Sequence, residues 1–173
     1  LQTIVIPNSV TKIEEYAFAY CMGLEEVTFA EDSQLTKIGV GAFEECANLK
    51  TVSFPSMLET IDRFAFRNCT NLEEVVFSDS ITTIGESAFE HCDSLEEVSI
   101  PKDLATLGGA SFARCVNLTK IEAQDCTNFK VVNDVLYSKD GEILYQYPIG
   151  KKDNKFVIPN GVTTINYKAF AYC

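Results

Sequence analysis

Histidine is nearly missing from this chain: of 173 residues, only His91 is one. A Ser–His or Cys–His catalytic pair would have to use it, and it sits directly before Cys92, where a solvent-facing turn is expected. No Cys-x-x-Cys spacing offers a zinc site, and no Gly-x-Ser-x-Gly, His-Glu-x-x-His or Gly-x-x-x-x-Gly-Lys motif occurs. Carboxylates are plentiful, but adjacent Glu-Glu pairs on a strand should split between its two faces, and no cleft is foreseen for a hydrolytic pair. No catalytic residue, metal or cofactor is therefore expected. Positive charge is also scarce: Lys plus Arg is 14 against 25 for Asp plus Glu, a net charge of −11. Phosphate backbones repel such a chain, which argues against nucleic acid. No apolar run approaches the roughly 18 residues of a membrane-spanning helix, so no direct membrane insertion is expected. A basic and apolar leader is missing as well; Leu1–Pro7 already belongs to a repeating pattern, and the chain reads as a piece of a longer protein.

What is present is self-similarity. Leucines at 1, 24, 49, 72, 95 and 118 open successive units, spaced by 23 residues except for one spacing of 25, caused by two extra residues around Ala30–Gln34. The first unit holds Leu1, Ile4, Ile6, Pro7, Val10, Ile13, Ala17, Phe18 and Cys21; the third holds Leu49, Val52, Phe54, Pro55, Leu58, Ile61, Ala65, Phe66 and Cys69. A single unit cannot bury its own apolar face, whereas stacked units can, because like positions meet along the stack. Within a unit, apolar residues four and six alternate with polar neighbours, as Val27 and Phe29 do with Glu26 and Thr28, which is a short strand. Proline at 7, 55, 101 and 159 ends the strand without wasting a ladder donor. The Ala-Phe-x-x-Cys that follows is expected to form a turn of helix with Phe inward. The fold class is then a β-rich solenoid, a leucine-rich-repeat-like stack of about 23-residue units with a parallel sheet and short helical turns, plus one inserted β-hairpin. One repeat domain spans 1–173, with regular repeats over 1–117, a degenerate repeat over 118–154 and a partial repeat over 155–173.

The x-Ile-Pro-x-x-Val-x-x-Ile-x-x-x-Ala-Phe-x-x-Cys pattern resembles the BspA-like subclass of leucine-rich repeats over about 1–123 and 155–173. The resemblance implies a secreted or cell-surface protein, in a family where some members are adhesins for host matrix proteins. An interrupting hairpin such as the one expected around Asp140-Gly141 also fits that family.

Six of the seven cysteines (21, 46, 69, 92, 115 and 173) share one repeat position, and Cys126 lies outside it. In-phase thiols point the same way into the core, so they are expected reduced and buried. Two outward columns mark the candidate binding face: Thr3, Glu26, Thr51, Glu74, Glu97 and Lys120; and Val5, Thr28, Ser53, Val76, Ser99 and Glu122. Glu26, Thr28, Glu74, Val76, Glu97 and Ser99 are the expected contacts, with Tyr137 and Tyr145 of the hairpin as an aromatic supplement; the alternative for these rings, and for Tyr147, is that they cover the stack where the regular pattern lapses. Asn68-Cys69-Thr70 and Asn117-Leu118-Thr119 match the N-glycosylation pattern, which has meaning only in a eukaryotic host. The functional expectation is a non-enzymatic module that binds an extracellular or host protein or glycan; the alternative is a structural spacer. Oligomerisation through open repeat ends is a further expectation.

Overall fold

The computed structural model describes residues 1–173, and none of them is helical. In chain order the strands are β1 (Thr3–Ile6), β2 (Lys12–Ile13), β3 (Glu26–Phe29), β4 (Lys37–Ile38) and β5 (Thr51–Ser53). Next come β6 (Thr60–Ile61), β7 (Glu74–Val76), β8 (Thr83–Ile84), β9 (Glu97–Ser99) and β10 (Thr106–Leu107). Then follow β11 (Lys120–Glu122), β12 (Phe129–Val132), β13 (Val135–Ser138), β14 (Ile143–Gln146) and β15 (Thr164–Ile165). Up to Cys115 each unit is one coil of a solenoid, and the strands pair in parallel with their counterparts in the next coil, except that β7 and β9 are not hydrogen-bonded to each other. β1, β3, β5 and β7 form one ladder, which β9 and β11 continue as a second pair packed against β7. The two-residue strands β2, β4, β6, β8 and β10 form another. Where the strands pair, the register is in phase, Thr3 opposite Glu26 and Ile13 opposite Ile38.

The third side of each coil corrects an expectation: Ala-Phe-x-x-Cys is not a turn of helix. Residues four apart take a left-handed conformation in each coil, Tyr16 and Tyr20 in the first, Phe64 and Asn68 in the third, Ser87 and His91 in the fourth. The amides then alternate their partners. Ala19 and Cys21 donate within the coil, to the carbonyls of Tyr16 and Phe18, while Phe18 and Tyr20 donate to Ala42 and Glu44 of the next coil. A helix is about 10–12 Å across and would wedge apart layers set about 4.8 Å apart. Consecutive turns keep the coil one layer thick, and the phenylalanines of this side stack with centroids 5.1, 5.1, 5.2 and 5.6 Å apart from Phe18 through Phe43, Phe66 and Phe89 to Phe112.

The core is the repeated set itself. Leu24, Leu49, Leu72, Leu95 and Leu118 are fully buried, as are the stacked phenylalanines Phe43, Phe66, Phe89 and Phe112. All seven cysteines are free thiols; Cys46, Cys69, Cys92, Cys115 and Cys126 are buried, Cys21 is half-buried and Cys173 exposed. Each buried ladder thiol donates to the phenylalanine carbonyl of the coil before: Cys46 to Phe18 and Cys69 to Phe43, both at 3.2 Å, and Cys115 to Phe89, also at 3.2 Å. Phe18 and Phe43 also accept the backbone amide of their own coil's cysteine, so both lone pairs of those buried oxygens are used.

After β11 the pattern changes. The single expected hairpin is a three-stranded antiparallel meander, β12-β13-β14, with a second tight turn at Asn133-Asp134, both residues at positive φ (51° and 65°) as a mirror-image type I turn requires. Asp140-Gly141 carries the glycine that marks a hairpin turn in sequence; Asn133-Asp134 lacks it and gives no such mark. β13 is buried on both faces: Leu136 enters the main core, while Val135 and Tyr137 form a second one with Leu144, Tyr147 and Ala169. The last partial repeat keeps only its second strand, β15, paired in parallel with β14. Its first apolar stretch, Phe156–Ile158, forms no strand; Phe156 packs on Tyr147 instead, centroids 5.1 Å apart.

Candidate functional site: the open sheet face

The strands β1, β3, β5, β7, β9 and β11 place their central residue inward and its two neighbours outward. The two outward columns assemble as expected. Glu26 lies opposite Thr51, Thr51 opposite Glu74, Ser53 opposite Val76, and Glu97 and Ser99 opposite Lys120 and Glu122. Glu26, Glu74, Val76, Glu97 and Ser99 are exposed; Thr28 is half-buried, its hydroxyl donating to the Ile4 carbonyl at 3.5 Å. At the β11 end, Val131, Asn133 and Asp134 of the meander line a shallow cleft together with Lys120 and Glu122.

Charge on the face is uneven. Lys120 stands between Glu122 at 2.6 Å and Glu97 at 3.5 Å, and Lys50 reaches Glu25 at 3.6 Å. The hydrogen bond and charge of Glu122 raise the Lys120 ammonium above its ordinary range, and Lys120 in turn lowers the Glu122 carboxyl. Glu74 has no cationic partner within 4.0 Å.

A shallow cleft of about 470 Å³ opens here, lined by Glu73, Glu74, Ser94, Glu96, Glu97, Thr119 and Lys120. Its glutamates correct the expectation that adjacent glutamates divide between two faces. At the entry to these strands one carbonyl accepts two successive amides, Gln2 O from Glu25 and Glu26, and Lys50 O from Glu73 and Glu74. That shared acceptor interrupts the two-residue alternation, so Glu73 and Glu74 line the same cleft. Residues 25, 50, 73 and 96 hold one repeat position, and the irregular strand start is what turns that position onto the open face.

The aromatic supplement does not form a surface. Tyr137 is 3% exposed and lies in the second core, and Tyr145 is half-buried with its ring edge-on to Phe129 at 5.1 Å. Tyr147 is buried as well, its hydroxyl donating to Asp153 at 2.9 Å; burial, then that carboxylate, push it up to about 12. A strand buried on both faces has no outward side to offer. His91 is likewise half-buried rather than a free turn residue: one ring nitrogen meets the Asn68 amide oxygen at 2.8 Å and the other Asp93 at 3.0 Å. The Asn68 amide group in turn donates to Glu45 at 2.6 Å. No cluster of three or more His, Cys, Asp or Glu side chains is arranged to hold a metal.

The arrangement is a flat, repetitive, mostly acidic sheet surface on a solenoid whose inward positions are invariant in kind. Six copies of the BspA-type leucine-rich repeat region match over residues 1–119. The chain belongs to that family. The match ends just before β11 and short of the meander, whose first strand begins at Phe129, so the BspA-type part is the regular stack. Among solved structures, the pneumococcal vaccine antigen PcpA superposes with a TM-score of 0.87 at 29% identity, over 98% of this chain and 42% of that one. A leucine-rich cell surface protein from Faecalibacterium prausnitzii gives 0.76 at 30% identity, over 98% of this chain and 52% of that one. A leucine-rich repeat protein from Eubacterium ventriosum gives 0.85 at 27%, over 99% and 45%. The chain thus spans about half the length of these relatives, and the likeness includes the meander as well as the BspA-type repeats. No curated protein sequence matches it. Leucine-rich repeats of this kind are protein-interaction or repeat modules, and no helix here is long and apolar enough to cross a membrane.

Proposed function

We propose that this chain is a binding module of a secreted or cell-surface protein, contacting an extracellular or host protein, or a glycan, through the open sheet face. Glu26, Thr28, Glu74, Val76, Glu97 and Ser99 carry the contact, with Glu73 and Glu96 adding charge beside them. The observation that supports this reading is the two outward columns along six strands, every residue of which is exposed except the half-buried Thr28. Their acidity favours a partner with a basic surface, steered by long-range attraction that salt screens. No catalytic role is proposed.

The test is binding of the purified chain to an array of extracellular matrix proteins and glycans at low and physiological salt. An E26K/E74K/E97K variant, altered only at exposed positions, serves as comparison. Saturable binding lost in the variant is the expected result. Binding that survives the charge reversal moves the contact to another side of the solenoid.

A second reading, a structural spacer, has its own observation. The stack is held by inward side chains and coil-to-coil backbone bonds, so the outward residues need make no contact at all. An array with no binder at either salt concentration supports it.

A further inference from the structure

Each coil passes from its first strand towards its second through a short turn, closed by a backbone amide that donates three residues back. The bonds run from Val10 to Pro7 at 3.1 Å, Leu58 to Pro55 at 3.1 Å, Ile81 to Ser78 at 3.2 Å, Leu104 to Pro101 at 3.2 Å and Val162 to Pro159 at 3.0 Å. The two central residues of this turn are Asn8-Ser9, Ser56-Met57, Asp79-Ser80, Lys102-Asp103 and Asn160-Gly161. The last is the chain's single Asn-Gly pair. Both of its residues are exposed, and nothing lies within 4 Å of where a Gly161 side chain would begin. No hydrogen bond engages the Asn160 side chain or the Gly161 amide.

We propose that Asn160-Gly161 is a site of spontaneous modification, at which the asparagine converts through a cyclic imide to aspartate and isoaspartate. The Gly161 backbone nitrogen, giving its proton to water, attacks Cγ of Asn160. A new C–N bond closes the five-membered imide, and the side-chain nitrogen leaves as ammonia. Water then opens either imide carbonyl, giving aspartate or its β-linked isomer. One water is consumed and one ammonia released, with no change of oxidation state. Glycine matters because the residue after the asparagine must bring its nitrogen onto Cγ, and a side chain there obstructs the approach.

Other sites show what protection looks like. Asn8 sits in the same turn, but it is followed by Ser9, and its carbonyl accepts the Gln34 amide at 3.3 Å. Asp140 precedes Gly141, but its carboxylate is held by the Ser138 hydroxyl at 2.5 Å and the Glu142 amide at 2.9 Å. The Asn48, Asn71 and Asn128 amides each donate to an oxygen of the preceding coil. Conversion at 160 adds a negative charge, and the isoaspartyl form also inserts a methylene into the main chain. The bond from Val162 to Pro159 then no longer closes, and Val162 loses its place against the second core.

The experiment is timed incubation of the 173-residue chain in buffer, followed by tryptic mapping of the peptides Phe156–Lys168, which carries Asn160 and Asn166, and Leu1–Lys12, which carries Asn8. Fragmentation locates the change, and isoaspartyl methyltransferase labelling detects the isomer. The peptide is expected to split into asparaginyl, aspartyl and isoaspartyl forms at residue 160, with Asn166 and Asn8 unchanged. Gly161→Ala, which fits the open space and the ordinary φ at this position, is expected to abolish the conversion over the same period. The proposal is overturned if Asn160 stays intact in the folded chain while a urea-unfolded sample converts, or if Asn8 converts as fast as Asn160.

Discussion

The first five coils and the segment after Leu118 use the same residue types and are held together in different ways. In the stack, each side chain meets its own repeat-mate: Phe on Phe, Leu on Leu, a thiol on the carbonyl of the coil before. Any coil is supported by what supports its neighbours. After Leu118 the contacts are individual. The Lys139 ammonium caps the Cys126 carbonyl at 2.6 Å, Lys151 holds the Asn133 carbonyl and the Asp134 carboxylate, both at 2.9 Å, and Lys168 reaches Glu90 at 2.6 Å across 78 residues of sequence. The last coil also skips a layer: Ala110 of the fifth coil donates directly to Tyr167. Repetition stabilises by translation, whereas an interruption needs contacts made once.

That comparison can be broken at its strongest point first. Phe66 is fully buried and stacked on both sides by Phe43 and Phe89, so Phe66→Ala should cost about 3–5 kcal/mol and lower the whole unfolding transition in urea. The equivalent change Phe170→Ala should leave the midpoint of the stack in place and raise hydrogen exchange only over the last coil, since Phe170 contacts Tyr147 and Phe156 rather than the ladder. If both variants shift one common transition equally, the two regions are a single cooperative unit.

Leu136 and Leu144 sharpen the boundary. Both are fully buried, but Leu136 enters the main core and Leu144 the second. Each alanine variant should cost about 2–5 kcal/mol locally. Leu136→Ala should loosen exchange protection in β11 as well as in the meander, and Leu144→Ala only in β13 to β15.

The thiol ladder gives a pH test confined to the stack. Burial pushes Cys46 up to about 12, and burial raises Cys69 and Cys92 well above the ordinary thiol range. A thiol raised in the folded state contributes no penalty below its unfolded value of about 8.5, and stability falls as pH climbs through the interval up to the folded value. Urea midpoints should therefore hold to about pH 8 and then fall, and Cys69→Ala should shallow the alkaline slope. A thiol reagent under native conditions should label the exposed Cys173 and the half-buried Cys21, leaving the buried five until unfolding.

The smallest effect lies on the surface of the stack. Lys37 pairs with Asp62 at 2.9 Å. Burial acts to raise the Asp62 carboxyl, but the hydrogen bonds from Lys37 and the Arg63 amide outweigh it and lower it overall. Its contribution is present above the unfolded carboxyl value and lost as pH falls through the lower folded one. The partly exposed pair is screened, so Asp62→Asn should cost under about 1 kcal/mol at neutral pH, with that difference vanishing in acid.

Legibility followed the same division. The strands, the inward set, the in-phase cysteines and the outward columns were all readable, because a 23-residue period forces like positions together whatever else the chain does. The helical turn was misread because Ala-Phe-x-x-Cys fits helical spacing as well as it fits consecutive turns, and only the thickness of a layer decides between them. Glu73 beside Glu74 was missed because a shared backbone acceptor is invisible in residue types. Residue type left Tyr137 open between a surface contact and a ring sealing the stack, because tyrosine suits both; β13 is dry on both faces, which decides for the second.

By itself the sequence determined the repeat, the parallel stacking, the burial of the leucines and phenylalanines, and which residues stand on the open face. Each follows from periodicity acting between neighbouring coils. Only the tertiary structure decided how the meander divides two cores, which tyrosines are sealed, and why the last coil rests on the fifth. Those arrangements join segments that share no period, so no local pattern encodes them, and they exist only once the packed neighbours are in place.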